Sequence, residues 1–208
     1  MNSLAIVDID GTITDFYKID NNIISTMYSN NRMIEILDKV LWKINSMDII
    51  TNSFAIFKIR ILIYSIIYGS KYSENMKKYK MEYVKHAKKY FEHFLKNEYL
   101  TLKSNGYDIL LLSCDNFDSC LNNKIKVVKN KRRYALKNII KGNYSNIYVI
   151  GNNYMDDIRI GLNLRKKSRF LQKVHIFYVG NSSIVKTIIR NKKVITCHNI
   201  KEAINKIC

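Results

Sequence analysis

The apolar positions of this chain follow two rhythms. Short unbroken apolar runs stand at its start and in its second half. Between them lie long stretches where apolar residues recur every three or four positions. Leu4 to Val7 is the first run, and its lack of polar residues suits a strand buried on both faces. Asp8 to Asp15 reads as a loop. From about Asp20 to Lys103 the pattern is helical almost throughout. Met33, Ile34, Leu37, Val40, Leu41 and Ile44 form one apolar stripe, and Ile56 to Ile67 is a second, very apolar helix. Glu74 to Leu102 predicts a third, with Tyr79, Tyr83, Ala87, Tyr90, Phe91, Phe94 and Leu95 on one side as packing residues. After Gly106 the short runs return. Tyr107 to Ser113, Asn146 to Gly151, His175 to Gly180 and Lys193 to Cys197 read as strands, with helices over Lys131–Ile140 and Ile200–Ile207.

Strands alternating with helices imply a parallel sheet covered on both faces. In such sheets a site forms beyond the carboxyl ends of the strands. Those ends carry Asp8 and Asp10, Ser113, Gly151–Asn152 and Gly180–Asn181. With 208 residues and 47% hydrophobic content, the chain is long enough for one ordinary core with a smaller inserted unit.

Charge changes the picture less than its size suggests. The formal net charge is +18. Proline is absent while Ile, Asn, Lys and Tyr abound, so drift in composition accounts for the excess lysine better than a dedicated nucleic-acid surface does. A basic surface would still attract phosphate esters. The four cysteines, Cys114, Cys120, Cys197 and Cys208, lack zinc spacings and read as free thiols of a reducing, cytoplasmic compartment. No signal peptide or membrane span is expected. The most apolar stretch, Ser53 to Gly69, is interrupted by Lys58 and Arg60.

The chemistry gathers at the strand ends. Asp8 and Asp10 follow a buried strand and precede Gly11 and Thr12. A calcium loop starting at Asp8 would want a Glu at its twelfth position, which is Ile19. Two acids, a hydroxyl, a basic segment and the pair Asp156–Asp157 on one rim suit phosphoryl transfer instead. One carboxylate attacks phosphorus and a second handles the proton. A divalent cation and a lysine offset the phosphate charge.

These residues resemble the haloacid dehalogenase superfamily. "DIDGT" at Asp8 to Thr12 is similar to its first motif, Ser113 after "ILLL" to its second, and "GNNYMDD" at Gly151 to Asp157 to its fourth. The resemblance covers residues 1–16 and about 104–208. It implies an α/β fold, a three-layer Rossmann-like core, with residues 17–103 as an inserted helical cap like that of the phosphoserine-phosphatase-like branch. It implies a Mg2+-dependent phosphatase acting on a small phosphorylated metabolite through an aspartyl-phosphate intermediate. Asp8 would be the nucleophile and Asp10 the general acid and base. Thr12 and Ser113 would hold phosphoryl oxygens, with Lys131, or Lys129 close behind it, as the third-motif lysine. Asp8, the Asp10 carbonyl, Asn152 and Asp156 would serve the metal, Asp156 being favoured over Asp157 by its spacing from Gly151. Two departures stand out: the neutral Asn152 where the family carries an acid, and only 17 residues between Ser113 and Lys131. A phosphotransferase would use the same site. A degenerate member would instead be a basic binding protein for polyanions or nucleic acid.

Overall fold

The apolar runs do become the centre of a parallel sheet. The computed structural model describes residues 2–28, 36, 40, 53–113, 122–128, 130–139, 142–167 and 172–208. Lys129, Cys114, Cys120 and all of the Met33–Ile44 stripe except Val40 lie outside them. In chain order the elements are β1 (Ser3–Asp8), α1 (Phe16–Met27), α2 (Ser53–Ile67), α3 (Tyr72–Lys96), α4 (Glu98–Ser104), β2 (Tyr107–Ser113), β3 (Ile125–Val127) and α5 (Lys131–Tyr134). A π-helical turn over Ala135–Ile139 continues α5. Then come β4 (Asn146–Gly151), a second π-helical turn (Tyr154–Ile158), α6 (Arg159–Lys167), β5 (Lys173–Val179), α7 (Ser183–Ile189), β6 (Ile195–Cys197) and α8 (Ile200–Asn205).

All the strands are parallel, in the order β3-β2-β1-β4-β5-β6. β1 is therefore central, and the chain leaves it in both directions. Strand alternation divides the core in two. Ala5, Val7, Leu111, Ile150, Phe177 and Val179 face one side, together with buried residues of α1, α2, α3, α4 and α8. Leu4, Ile6, Leu112, Ile147, Val149, Ile176 and Tyr178 face the other, with Ala135, Ile160, Leu164, Val185 and Ile189 from the helices of the second half. The fold is the expected α/β sandwich of three layers. The alternation also decides where Asp8 points. It continues the side of Leu4 and Ile6, which is the side α5 covers.

The tyrosine stripe forms as its spacing predicts. Tyr79, Tyr83, Ala87, Phe91 and Phe94 are the buried residues of α3, and they share one cluster with β1 and α1. The single long helix expected over Glu74–Leu102 is divided at Asn97, whose backbone leaves the helical region (φ −116°, ψ −84°). Its amide side chain donates to the His93 carbonyl at 2.8 Å, satisfying one carbonyl at the end of α3. β3 has no counterpart in the apolar pattern. It is an edge strand of three residues within the lysine-rich segment, and its exposed Lys126 suits an edge that must not pair further. Among the described residues, no helix is long and apolar enough to cross a membrane.

Candidate active site

β1 ends at Asp8, and the chain turns at once. Ile9 is fully buried, and its carbonyl accepts the backbone N–H groups of Thr12, Ile13 and Thr14 at 3.2, 2.9 and 3.1 Å. That tight turn requires the left-handed conformation of Gly11 (φ +78°), which a side chain would strain. It folds Thr12 back over the strand end, so that its hydroxyl donates to Asp8 Oδ2 at 3.1 Å. A Cβ on Gly11 would also lie 2.0 Å from the amide nitrogen of Asn152. The loop after β1 and the loop after β4 are thus in direct contact.

Lys131 begins α5 behind its cap, Asn130, whose side chain accepts the Arg133 N–H at 2.8 Å. Its neighbours Arg132 and Arg133 are exposed, while Lys131 is buried. The ammonium group reaches across to Asp8 Oδ1 and lies 3.0 Å from Asp157 Oδ1. One lysine of the basic run is therefore turned into the site, and it bridges two buried carboxylates.

Asp157 comes from the π-helical turn after β4. Asn153 caps this turn, accepting the N–H groups of Met155 and Asp156 at 2.9 and 3.1 Å. The Asn153 N–H in return donates to Asp157 Oδ2 at 3.1 Å, a reciprocal arrangement like a capping box. The Asp157 side chain packs directly over Gly151. A Cβ at Gly151 would stand 2.3 Å from the Cβ of Asp157 and 2.5 Å from its Oδ2. Gly151→Ala is accordingly expected to push Asp157 off Lys131. The loss of stability should be about 1–3 kcal/mol, as in other overpacked cores, and appears as a lower urea midpoint. An unchanged midpoint would contradict the close packing.

Spacing in the sequence favours Asp156 over Asp157. In the fold Asp157 is the one that meets Lys131, while Asp156 lies beside it, half-buried. Ser113 is buried at the end of β2, one residue past Leu112, the register partner of Asp8. Asp10 lies beyond Asp8 and is held from the other layer. Its Oδ1 accepts from the Tyr83 hydroxyl of α3 and, at 3.4 Å, from the Thr14 hydroxyl. Helical periodicity marks Tyr83 as a packing residue only. The signal available in the sequence is the hydroxyl itself, since a buried tyrosine usually finds a polar partner for its O–H.

Among the described residues, three carboxylates lie close to one ammonium, which leaves them short of positive charge. Burial, followed by repulsion from Asp157, pushes Asp8 up to about 8, against the opposing pull of Lys131. Burial and Asp157 also raise Asp156. Among the described residues, no three acidic, histidine or cysteine side chains are grouped as a ready-made metal cage. The site residues described offer oxygen donors: the Asp8, Asp156 and Asp157 carboxylates and the Thr12 hydroxyl.

By sequence, the chain matches no family model and no curated protein. By shape it is similar to solved structures, among them the following two. One, from Burkholderia xenovorans, is described as a haloacid dehalogenase-like hydrolase; it is 10% identical with a TM-score of 0.58, over 98% of this chain and 95% of that one. The other is YfnB of Bacillus subtilis, described as a HAD-hydrolase bound to magnesium; it is 13% identical with a TM-score of 0.54, over 99% and 98% of the two chains. The chain has the fold of the haloacid dehalogenase-like hydrolases. At such identities the likeness speaks to fold, and function has to be argued from the site.

Proposed function

We propose that this chain is a magnesium-dependent phosphatase that hydrolyses small phosphomonoesters through Asp8. The observation that carries the reading is the buried Asp8 itself, at a strand end, between the Lys131 ammonium and the Thr12 hydroxyl, with Asp10 two residues on. Its fold neighbours support the same chemistry, and one of them is described as binding magnesium.

In the first half-reaction an oxygen of Asp8 attacks phosphorus. The bond from phosphorus to the ester oxygen breaks, and Asp10 gives its proton to that departing oxygen. In the second, water attacks phosphorus, Asp10 takes its proton, and the bond to Asp8 breaks to release inorganic phosphate. Lys131, Thr12 and Ser113 offset the charge on the phosphoryl oxygens. The helices of residues 17–103 act as a cap that excludes water and reads the leaving group.

The residues fit a magnesium ion. The charge deficit around Asp8 calls for a cation, and the donors at hand are hard oxygens. Asp8, the Asp10 carbonyl and Asn152 or Asp157 would hold it, with Asp156 as the alternative that the spacing favours. Magnesium keeps several waters and needs only one or two carboxylates, so a three-acid cage is not required. When bound, it would supply the positive charge that lets an anionic Asp8 meet an anionic phosphate.

The test is hydrolysis of p-nitrophenyl phosphate by the whole chain. Activity should vanish with EDTA, return with magnesium, and be absent from Asp8→Asn. Hydrolysis that survives chelation, or that persists in Asp8→Asn, would count against the proposal. A second reading, a basic protein that binds polyanions, has one observation in its favour. Exposed Arg132, Arg133 and Lys137 line a shallow cleft of about 440 Å³. Salt-sensitive binding of DNA or RNA without any hydrolysis would favour it.

A further inference from the structure

The helix that carries Tyr83 is fixed before it reaches the strand ends. Asp20 of α1 is fully buried. It accepts the Tyr79 hydroxyl at 2.6 Å and pairs with Arg60, which is itself buried. One residue from each of α1, α2 and α3 thus meets at a single point. A buried carboxylate satisfied from two sides sets the helices in register, because either partner lost would leave a charge or a hydroxyl stranded. Tyr83 lies one turn further along α3, and its ring stacks on Tyr79 with centroids 6.3 Å apart and planes 11° apart. Phe16 borders it on another side, at 6.0 Å. Packing and the tie at Asp20 therefore aim the Tyr83 hydroxyl, and its target is Asp10 Oδ1.

We propose that Tyr83 is a positioning residue for Asp10, delivered to the strand ends by the helical segment. This rests on the phosphatase reading given above. Tyr83 donates to Oδ1, and the Thr14 hydroxyl lies 3.4 Å from the same oxygen and 3.4 Å from the Ile9 carbonyl, so the carboxyl group is oriented from α3 and from its own loop. The assignment of Asp10 as acid and base then depends on a residue some 70 positions away in sequence. Any movement of α3 relative to β1 would loosen that group.

General-acid help matters for a poor leaving group and little for a good one. Two esters therefore separate positioning from mere structural support. One is β-glycerol phosphate, which leaves as a basic alkoxide. The other is p-nitrophenyl phosphate, which leaves as a stable phenolate. They are compared in kcat/KM, which covers the steps through departure of the alcohol and omits the water step. Tyr83→Phe is expected to lower kcat/KM for β-glycerol phosphate about 10- to 100-fold, within the range of acid catalysis, and for p-nitrophenyl phosphate less than about threefold. Asp10→Asn should show the same split in full, and adding Tyr83→Phe to it should cost nothing more on either ester. Tyr79→Phe keeps the Tyr83 hydroxyl but loosens the tie at Asp20 that aims it, and should show the same split between the esters in smaller measure. Should Tyr83→Phe fail to fold, Thr14→Val removes the other donor on Oδ1 and is read by the same ratio. An equal loss on both esters in a folded Tyr83→Phe, or no loss, overturns the proposal. Failure of the unaltered chain to hydrolyse either ester overturns the phosphatase reading beneath it.

Discussion

Asp8→Asn is expected to abolish turnover and to stabilise the fold in the same stroke. The activity loss should be about 10⁴-fold or more, as when a nucleophile acting in concert with its neighbours is removed. The gain in stability follows from the environment of Asp8. Burial, and then Asp157, raise its carboxyl from 3.8 to about 8 despite Lys131. A group whose folded pKa is raised stabilises the fold below its unfolded pKa. That stability is lost as pH rises through the folded value. Between about pH 4 and pH 8 the unfolded chain has released this proton while the folded chain still holds it, so stability falls across the window. Asparagine has no proton to release. It gives up its share of Lys131, but the lysine keeps Asp157 at 3.0 Å. The variant should therefore be close to the unaltered chain near the bottom of the window. By its top it should be more stable by a few kcal/mol, because each tenfold difference in proton affinity between the folded and unfolded chain is worth about 1.4 kcal/mol. Urea midpoints of both proteins in EDTA, taken across the window, measure the difference, and slopes common to both cancel. A variant that loses ground as pH rises would show that Lys131 outweighs burial.

Why some of this is legible in the sequence and some is not has a physical cause in each case. β1, β2, β4 and β5 are buried on both faces, so their residues form unbroken apolar runs. β3 lies at the edge and needs only Ile125 buried; its two other residues are Lys126 and Val127, so it has no run to show. Helix α6 buries Ile160, Gly161 and Leu164 among arginines and lysines, a stripe too thin to stand out. The order of the strands depends on which crossovers pair, which local spacing does not encode. In the site, Asp8, Thr12 and Lys131 can each be singled out from the sequence, and the fold sets them within hydrogen-bonding reach. Choosing between Asp156 and Asp157 is different. Counting from Gly151 assumes ordinary helical rotation, and residues 154–158 wind as a π-helical turn, which changes the neighbour that faces β1. Tyr83 and Asp10 are joined only by the packing of α3 over β1, and no local pattern announces such a pair.

Lys131→Met is expected to do the opposite to stability and the same to activity. Methionine keeps the length and apolar stem of the lysine and removes only its charge. Asp8 and Asp157 are then left buried, facing each other with no ammonium between them. Breaking a buried pair from one side costs about 3–5 kcal/mol, because the remaining charge stays desolvated. The cost should be largest above about pH 8, where Asp8 would have to be ionised, and smaller at low pH, where it can hold its proton. Millimolar magnesium should restore more stability to this variant than to the unaltered chain, since the stranded carboxylates gain most from a cation. Activity should fall about 10²- to 10³-fold, the usual effect of removing one group that stabilises developing charge. The double variant with Asp8→Asn decides whether these effects share a cause. Measured above about pH 8, where Asp8 of the unaltered chain is ionised, removal of a lysine that acts mainly by neutralising Asp8 costs less in the Asp8→Asn background, and the coupling there should reach about 1–3 kcal/mol. An equal cost of Lys131→Met in both backgrounds would mean that the lysine serves Asp157 alone, and that Asp8 does not depend on its charge.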